Sequence, residues 1–289
     1  MIFRFATFAV LASLALYVNA ENPAAAPVKL SASAAVELVE GVVYSTAGDV
    51  ELKLDLAKPS DTDKPLPCVV VIHGGAWRQG DRRSHLNDIR GLAEHGYVAA
   101  TISYRFCPEH RFPAQVDDVR NAVRFLREHA NDYRIDASRL GAMGFSAGAH
   151  LAMLLGVMED DHQPTSKVQA VVSYFGPTDF TQPNIPDISV PLLADFIGGS
   201  LAEKPESYRQ ASPITFVDST DAPILLFQGT NDPLIPVNQA VLMAERMSKH
   251  NVDGRVELLI GEGHGWGGVE KDHTNEQTLQ FFNRHLMHR

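Results

Sequence analysis

Apolar and polar positions follow two patterns along this chain, and the change from one to the other outlines its fold. In "GVVYSTAGDVELKLDLAKP" the segment "VELKLDL" alternates with period two around Ala-Gly-Asp, so the stretch predicts a β-hairpin. Beyond it, runs that are apolar at every position alternate with stretches of helical period. "CVVVIHGG", "YVAATISY", "RLGAMGF", "VQAVVSYFG", "APILLFQG" and "RVELLI" read as strands. Residues 114–130 place Val116, Val119, Val123 and Leu126 on one helical face. "SAGAHLAMLLGVM", "NQAVLMAERMSKH" and "NEQTLQFFNRHLMHR" read as further helices. Strands apolar throughout and separated by amphipathic helices predict an α/β fold, with a mostly parallel central sheet covered by helices on both faces. Residues 177–213, rich in Pro and short on periodicity, interrupt the rhythm and predict a small lid-like insertion over the edge of the sheet. No internal repeat is present.

The N-terminal residues do not continue this pattern. "MIFRFATFAVLASLALYVNA" has one cation, Arg4, then an apolar run, then small residues, which is the secretory signal pattern with cleavage expected after Ala20. The apolar run is short for a ~30 Å hydrocarbon core, so a stable membrane anchor is not expected. Residues 21–35, rich in Ala, Pro and Ser, read as a flexible tether, and residues 36–289 as the folded domain. The expected location is therefore secreted or periplasmic.

Charge and cysteine content narrow the partners. The formal net charge of −10 disfavours nucleic acid and acidic membranes. Cys68 opens one strand and Cys107 closes another; in neighbouring parallel strands they would lie at opposite ends, beyond the ~7 Å Cα limit of a disulfide, so both are expected as free thiols. The 12 His are scattered without metal-ligand spacing, so no metal is expected.

Ligands of open α/β sheets sit at the carboxyl ends of strands, so polar residues immediately after strands are the candidates for chemistry. Four places qualify. Ser146, bracketed by Gly144 and Gly148, lies between a strand and a helix, the context of a nucleophile elbow. A serine hydroxyl needs a base to take its proton, and His264 in "GEGHGWGG" follows a strand in a Gly-rich loop; His273 is a more distant rival. An acid to orient the imidazole could be Asp179 in "SYFGPTDF" or Asp232 in "LLFQGTNDPLIP", with only a mild preference for Asp232. "HGGAW", residues 73–77, exposes backbone N–H groups that, with the N–H of Ala147, could hold an oxyanion.

These stretches together resemble α/β-hydrolase esterases, closest to the branch of bifunctional acetylxylan/feruloyl esterases (BD-FAE-like) near the hormone-sensitive-lipase group. The resemblance rests on "VIHGGAWRQGDR", "YRFCPEHRFPAQVDDVRNAVRFLREHA", "GFSAGAHLAMLLG", "YFGPTDF", "ASPITFV", "ILLFQGTNDPLIPVNQA" and "GEGHGW", in order over residues 36–286. It implies a triad of Ser146, Asp232 and His264, against Asp179, with oxyanion donors at Gly75, Ala76 and Ala147. The chain departs from the lipase-like relatives in having Ala76 where they have a third Gly, and Cys107 where a small residue is usual. Arg105, Glu109 and Asp118 are expected to brace the region behind the elbow.

The expectation is thus an exported serine carboxylesterase that needs no cofactor. Its substrate would be a small-molecule or polysaccharide-linked ester with a short or aromatic acyl group, the latter stacked on Trp77 or Trp266. The alternatives are an arylformamidase-like amide hydrolase, which also carries H-G-G-x-W, and a non-catalytic module on the same fold.

Overall fold

The hairpin forms from β1 (Val36–Ala47) and β2 (Val50–Pro59), and it opens an eight-stranded sheet. The computed structural model describes residues 35–287; the expected signal and nearly all of the expected tether lie outside the described residues. The remaining strands are β3 (Leu66–Ile72), β4 (Val98–Ile102), β5 (Ile135–Phe145), β6 (Ala170–Tyr174), β7 (Ile224–Gly229) and β8 (Gly254–Leu259). Their spatial order is β1-β2-β4-β3-β5-β6-β7-β8; β1 and β2 pair antiparallel, as do β2 and β4, and every later pair is parallel.

The continuous apolar runs have their cause in this layering. Cys68, Val70 and Ile72 of β3 join the core on one face, Val69 and Val71 the core on the other, and all five are fully buried. A strand with helices on both faces has no polar side to show. The first face carries α2 (Ala114–Glu128), through Val116, Val119, Val123 and Leu126, together with α4 (Ala147–Val157) and α7 (Asn238–His250). The other carries α1 (Leu86–Glu94), through Ile89 and Leu92, and α8 (Gly268–Phe282), through Phe282. A short helix, α3 (Ala130–Tyr133), leads into β5. Among the described residues no helix is long and apolar enough to cross a membrane.

Several details differ from the sequence reading. Helix α1 was not foreseen, and α8 begins before the segment that predicted it. The insertion holds α5 (Val190–Ile197) and α6 (Pro205–Ala211), each with Pro in its first turn, where the missing N–H has no helical partner to lose. It does not lie over the edge of the sheet. It leaves the carboxyl end of β6, an inner strand between β5 and β7, and so starts beside Ser146 in the middle of the sheet.

Both cysteines are free and buried. Arg105 grips the buried Asp118 through Nε and Nη2, and the Arg105 backbone N–H donates to the same carboxylate. Glu109 takes no part in this brace: it is exposed on the loop before α2, too well solvated to be drawn into the pair.

Candidate active site

Ser146 occupies the turn between β5 and α4 with φ 54° and ψ −117°, a conformation that costs a non-Gly residue of order 1–3 kcal/mol. The surroundings force it. An added Cβ on Gly144 would lie 2.3 Å from the Gly148 carbonyl, and one on Gly148 would lie 2.1 Å from the Ile72 carbonyl oxygen. Strand and helix therefore meet backbone to backbone, and the Ser146 N–H is tied to the Tyr174 carbonyl at 2.9 Å.

The exposed side of that turn meets His264. Ser146 Oγ lies 2.8 Å from His264 Nε2, and His264 Nδ1 lies 2.7 Å from Asp232 Oδ2. A carboxylate only accepts, so Nδ1 carries the proton and Nε2 is left to accept from the serine hydroxyl. Asp232, after β7, has a fully buried side chain. Its Oδ1 accepts from the N–H groups of Leu234 (2.8 Å) and Ile235 (3.0 Å), and Oδ2 also accepts from Gln228 Nε2 (3.1 Å). Burial pushes the Asp232 pKa up, but the bonds from His264 and the two amides outweigh it, and the carboxyl stays below its ordinary value. It is thus held ionised and aimed at the imidazole.

The two rivals lie elsewhere. Asp179 accepts from Thr181 and from Gln182 Nε2, while its backbone carbonyl takes Gln239 Nε2, so it serves the start of the insertion. His273 pairs with Glu257 on the α8 side of β8.

Beyond β3 the loop takes left-handed φ at three successive residues: Gly75 (115°), Ala76 (51°) and Trp77 (59°). Arg78 and Gln79 donate their N–H groups back to the Gly75 carbonyl, closing the turn. The N–H groups of Gly75 and Ala76 find no acceptor among the described residues, and Ala147 contributes a first-turn N–H at the start of α4. Ala76 and Ser146 line one cavity, whose wall is Phe180, Ile185, Leu193 and Leu234. A backbone N–H bears no side chain, so Ala at position 76 offers the same donor as Gly.

Trp77 belongs to the wall of this cavity but is only 4% exposed, with Phe196 stacked on its ring at 4.3 Å. Trp266 lies outside the cavity. It donates Nε1 to Thr274, meets Phe175 edge to face, and lines a separate groove with Ser84 and His85. The ring of Phe175 packs against His264 at 4.7 Å. The structure therefore parts the two tryptophans that sequence reasoning had placed in one role.

Two contributors escaped that reasoning: Gln228, which braces Asp232, and His150, which meets Trp77. The only available signal was a polar residue inside an apolar element, Gln228 at the end of β7 and His150 in the wholly buried α4.

Comparison with known proteins adds the family. The BD-FAE family model matches residues 54–247, from within β2 to the last turn of α7. The chain belongs to the BD-FAE family. Among solved structures, it is similar to a truncated carbohydrate esterase from gut microbiota, at 28% identity and TM-score 0.76, covering 86% of this chain and 95% of that one. It is also similar to Thermogutta terrifontis esterase 2 phosphonylated by sarin, at 25% identity and TM-score 0.76, covering 85% and 94%. By sequence it is 33% identical to Esterase LipC of Mycobacterium tuberculosis over 220 residues, 70% of this chain and 54% of LipC. The chain thus spans about half the length of the curated relatives it matches. These neighbours share the α/β-hydrolase fold.

Proposed function

We propose that this protein is an exported serine carboxylesterase acting on short-acyl esters. The observation that carries the reading is the continuous chain from Asp232 through His264 to Ser146, at 2.7 and 2.8 Å, opening on an apolar cavity beside the unpaired N–H of Ala76.

The geometry supports a two-step acyl transfer. Ser146 Oγ attacks the ester carbonyl as His264 Nε2 takes its proton, and Asp232 stabilises the resulting imidazolium. The N–H groups of Gly75, Ala76 and Ala147 meet the negative charge that develops on the carbonyl oxygen. His264 then returns the proton to the leaving alcohol, and a water activated in the same way releases the acid. Every group in these steps belongs to the chain, the substrate or water.

The cavity favours a small acyl group. It holds about 50 Å³, room for only a few water-sized groups. Space for a few heavy atoms suits acetyl to butyryl. A feruloyl group stacked on Trp77 is less well supported, because Phe196 already covers one face of that ring. The similarity to a carbohydrate esterase from gut microbiota makes a sugar-linked acyl ester the first substrate to assay. Export rests on the signal pattern of residues 1–20.

The test is labelling by a fluorophosphonate together with turnover of p-nitrophenyl acetate. Wild type should react in both, and Ser146→Ala in neither while unfolding at a similar temperature. A variant that kept its turnover would remove Ser146 from the mechanism. Assaying a formanilide beside phenyl acetate separates an ester hydrolase from an amide hydrolase of the same fold.

A further inference from the structure

His150 sits one turn into α4, its N–H on the Ser146 carbonyl at 3.0 Å, and its side chain is fully buried. Its Nε2 lies 2.7 Å from the backbone carbonyl of Ala211, at the end of α6. A carbonyl only accepts, so Nε2 bears the hydrogen. Its Nδ1 lies 3.2 Å from the indole Nε1 of Trp77, which only donates, so Nδ1 offers the lone pair. Both neighbours thus require the same neutral tautomer. Burial pulls the imidazole pKa down to about 4, so the ring is neutral wherever a histidine base could work.

Trp77 is the residue after Ala76, and its own backbone is left-handed. Its ring is stacked on Phe196 and meets Phe180 and His150 edge to face, while its carbonyl accepts from the Cys107 N–H at 2.9 Å. The left-handed turn that brings Ala76 to the cavity is therefore held from two sides, by backbone bonds at the Gly75 and Trp77 carbonyls and by the packing of one buried indole. Phe180, Phe196 and the Ala211 carbonyl that fixes His150 all come from the insertion.

We propose that His150 is a positioning residue for the oxyanion loop, holding the Trp77 indole in place through the bond to its N–H. This rests on the serine esterase reading. It predicts that loosening the indole weakens the hold on the tetrahedral intermediate more than the hold on substrate, because the amides act on charge that develops only in the transition state.

Three variants separate the two bonds. Trp77→Phe keeps a ring against Phe196 and removes the N–H. His150→Gln keeps a donor toward Ala211 and gives up the acceptor. His150→Asn keeps an oxygen near the place of Nδ1 and gives up the Ala211 bond. With p-nitrophenyl acetate, Trp77→Phe and His150→Gln should each lower kcat about tenfold with KM within twofold. Affinity for a trifluoromethyl ketone, which binds as a tetrahedral adduct, should fall by the same factor. The double variant should be no worse than the poorer single one, since both remove one bond, and His150→Asn should recover most of kcat. If the unfolding temperature falls while kcat and inhibitor affinity stay within twofold, the ring is packing alone and the proposal fails. A rise in KM at constant kcat would also overturn it, making Trp77 a substrate wall. Should the His150 variants not fold, Trp77→Phe decides by the same two readings. A wild type that turns over no ester overturns the esterase reading and this one together, whereas an active wild type with unaffected variants overturns this one alone.

Discussion

Gly148 of α4 and Ile72 of β3 meet so closely that a Cβ on Gly148 would stand 2.1 Å from the Ile72 carbonyl oxygen. Because the opposing atom is backbone in a central strand, neither side can move aside cheaply. Gly148→Ala should cost about 2–3 kcal/mol of stability through overpacking, and should displace Ser146 enough to remove most turnover. Gly91, inside α1 with nothing within 4 Å of an added Cβ, is the contrast. Gly91→Ala should gain about 0.5–1 kcal/mol with activity unchanged. Denaturant unfolding and p-nitrophenyl acetate turnover check both; equal behaviour of the two variants would contradict the account of the elbow.

Asp232 and Asp179 are both buried acids after strands, yet only one faces His264. Asp232→Asn should lower kcat by roughly 10³–10⁴, because an amide can present its N–H to Nδ1 and favour the wrong tautomer. Asp179→Asn keeps an acceptor for Thr181 and should change kcat less than about threefold. Equal losses in the two variants would return the acid role to dispute.

Burial depresses His150 to about 4 and lowers His73 as well, and the sign of the linkage follows. Between about pH 4 and the unfolded histidine value of about 6.5, the unfolded chain holds protons that the folded chain does not, so stability falls as pH falls through this window. The full His150 shift corresponds to on the order of 3 kcal/mol. Unfolding free energies at pH 7 and pH 5 should differ in that direction, and the slope should flatten in His150→Asn. A slope unchanged by that substitution would show that the ring titrates freely in the folded state.

The elements that were legible in sequence are those whose physics is local or periodic. The β3 and β7 runs are apolar at every position because both of their faces are covered, and the Gly144 and Gly148 spacing marks an approach of strand to helix within five residues. Helix α1 escaped because Gly91 interrupts a short amphipathic stretch, leaving only Ile89, Leu92 and Ala93 buried. The helices of the insertion were hidden by their prolines, which start α5 and α6 rather than break them. Glu109 stays outside the brace because proximity in sequence to Arg105 says nothing about solvation. The bonds that place Trp77 were out of reach for a different reason: His150 is 73 residues from Trp77 and 61 from Ala211, and no local pattern encodes a meeting across such distances.

The last prediction concerns acyl length. Each methylene buried in an apolar wall contributes about 0.8 kcal/mol, so an open acyl channel would reward longer chains steadily. Here the cavity beside Ser146 is small and walled by Ile185, Leu192 and Leu193 of the insertion. Additional methylenes must displace these side chains or remain in water, and the gain should end within a few carbons. Along p-nitrophenyl esters from acetate to palmitate, kcat/KM should peak between two and four carbons and fall at least tenfold by eight. Leu192, like Ile185, is a half-buried member of that wall, so its removal opens space with little loss of core. Leu192→Ala should move the peak to longer chains while the rate on acetate changes less than about threefold. A wild-type maximum at twelve carbons, or a Leu192→Ala profile that coincides with wild type, would mean that the acyl group binds elsewhere than in this cavity.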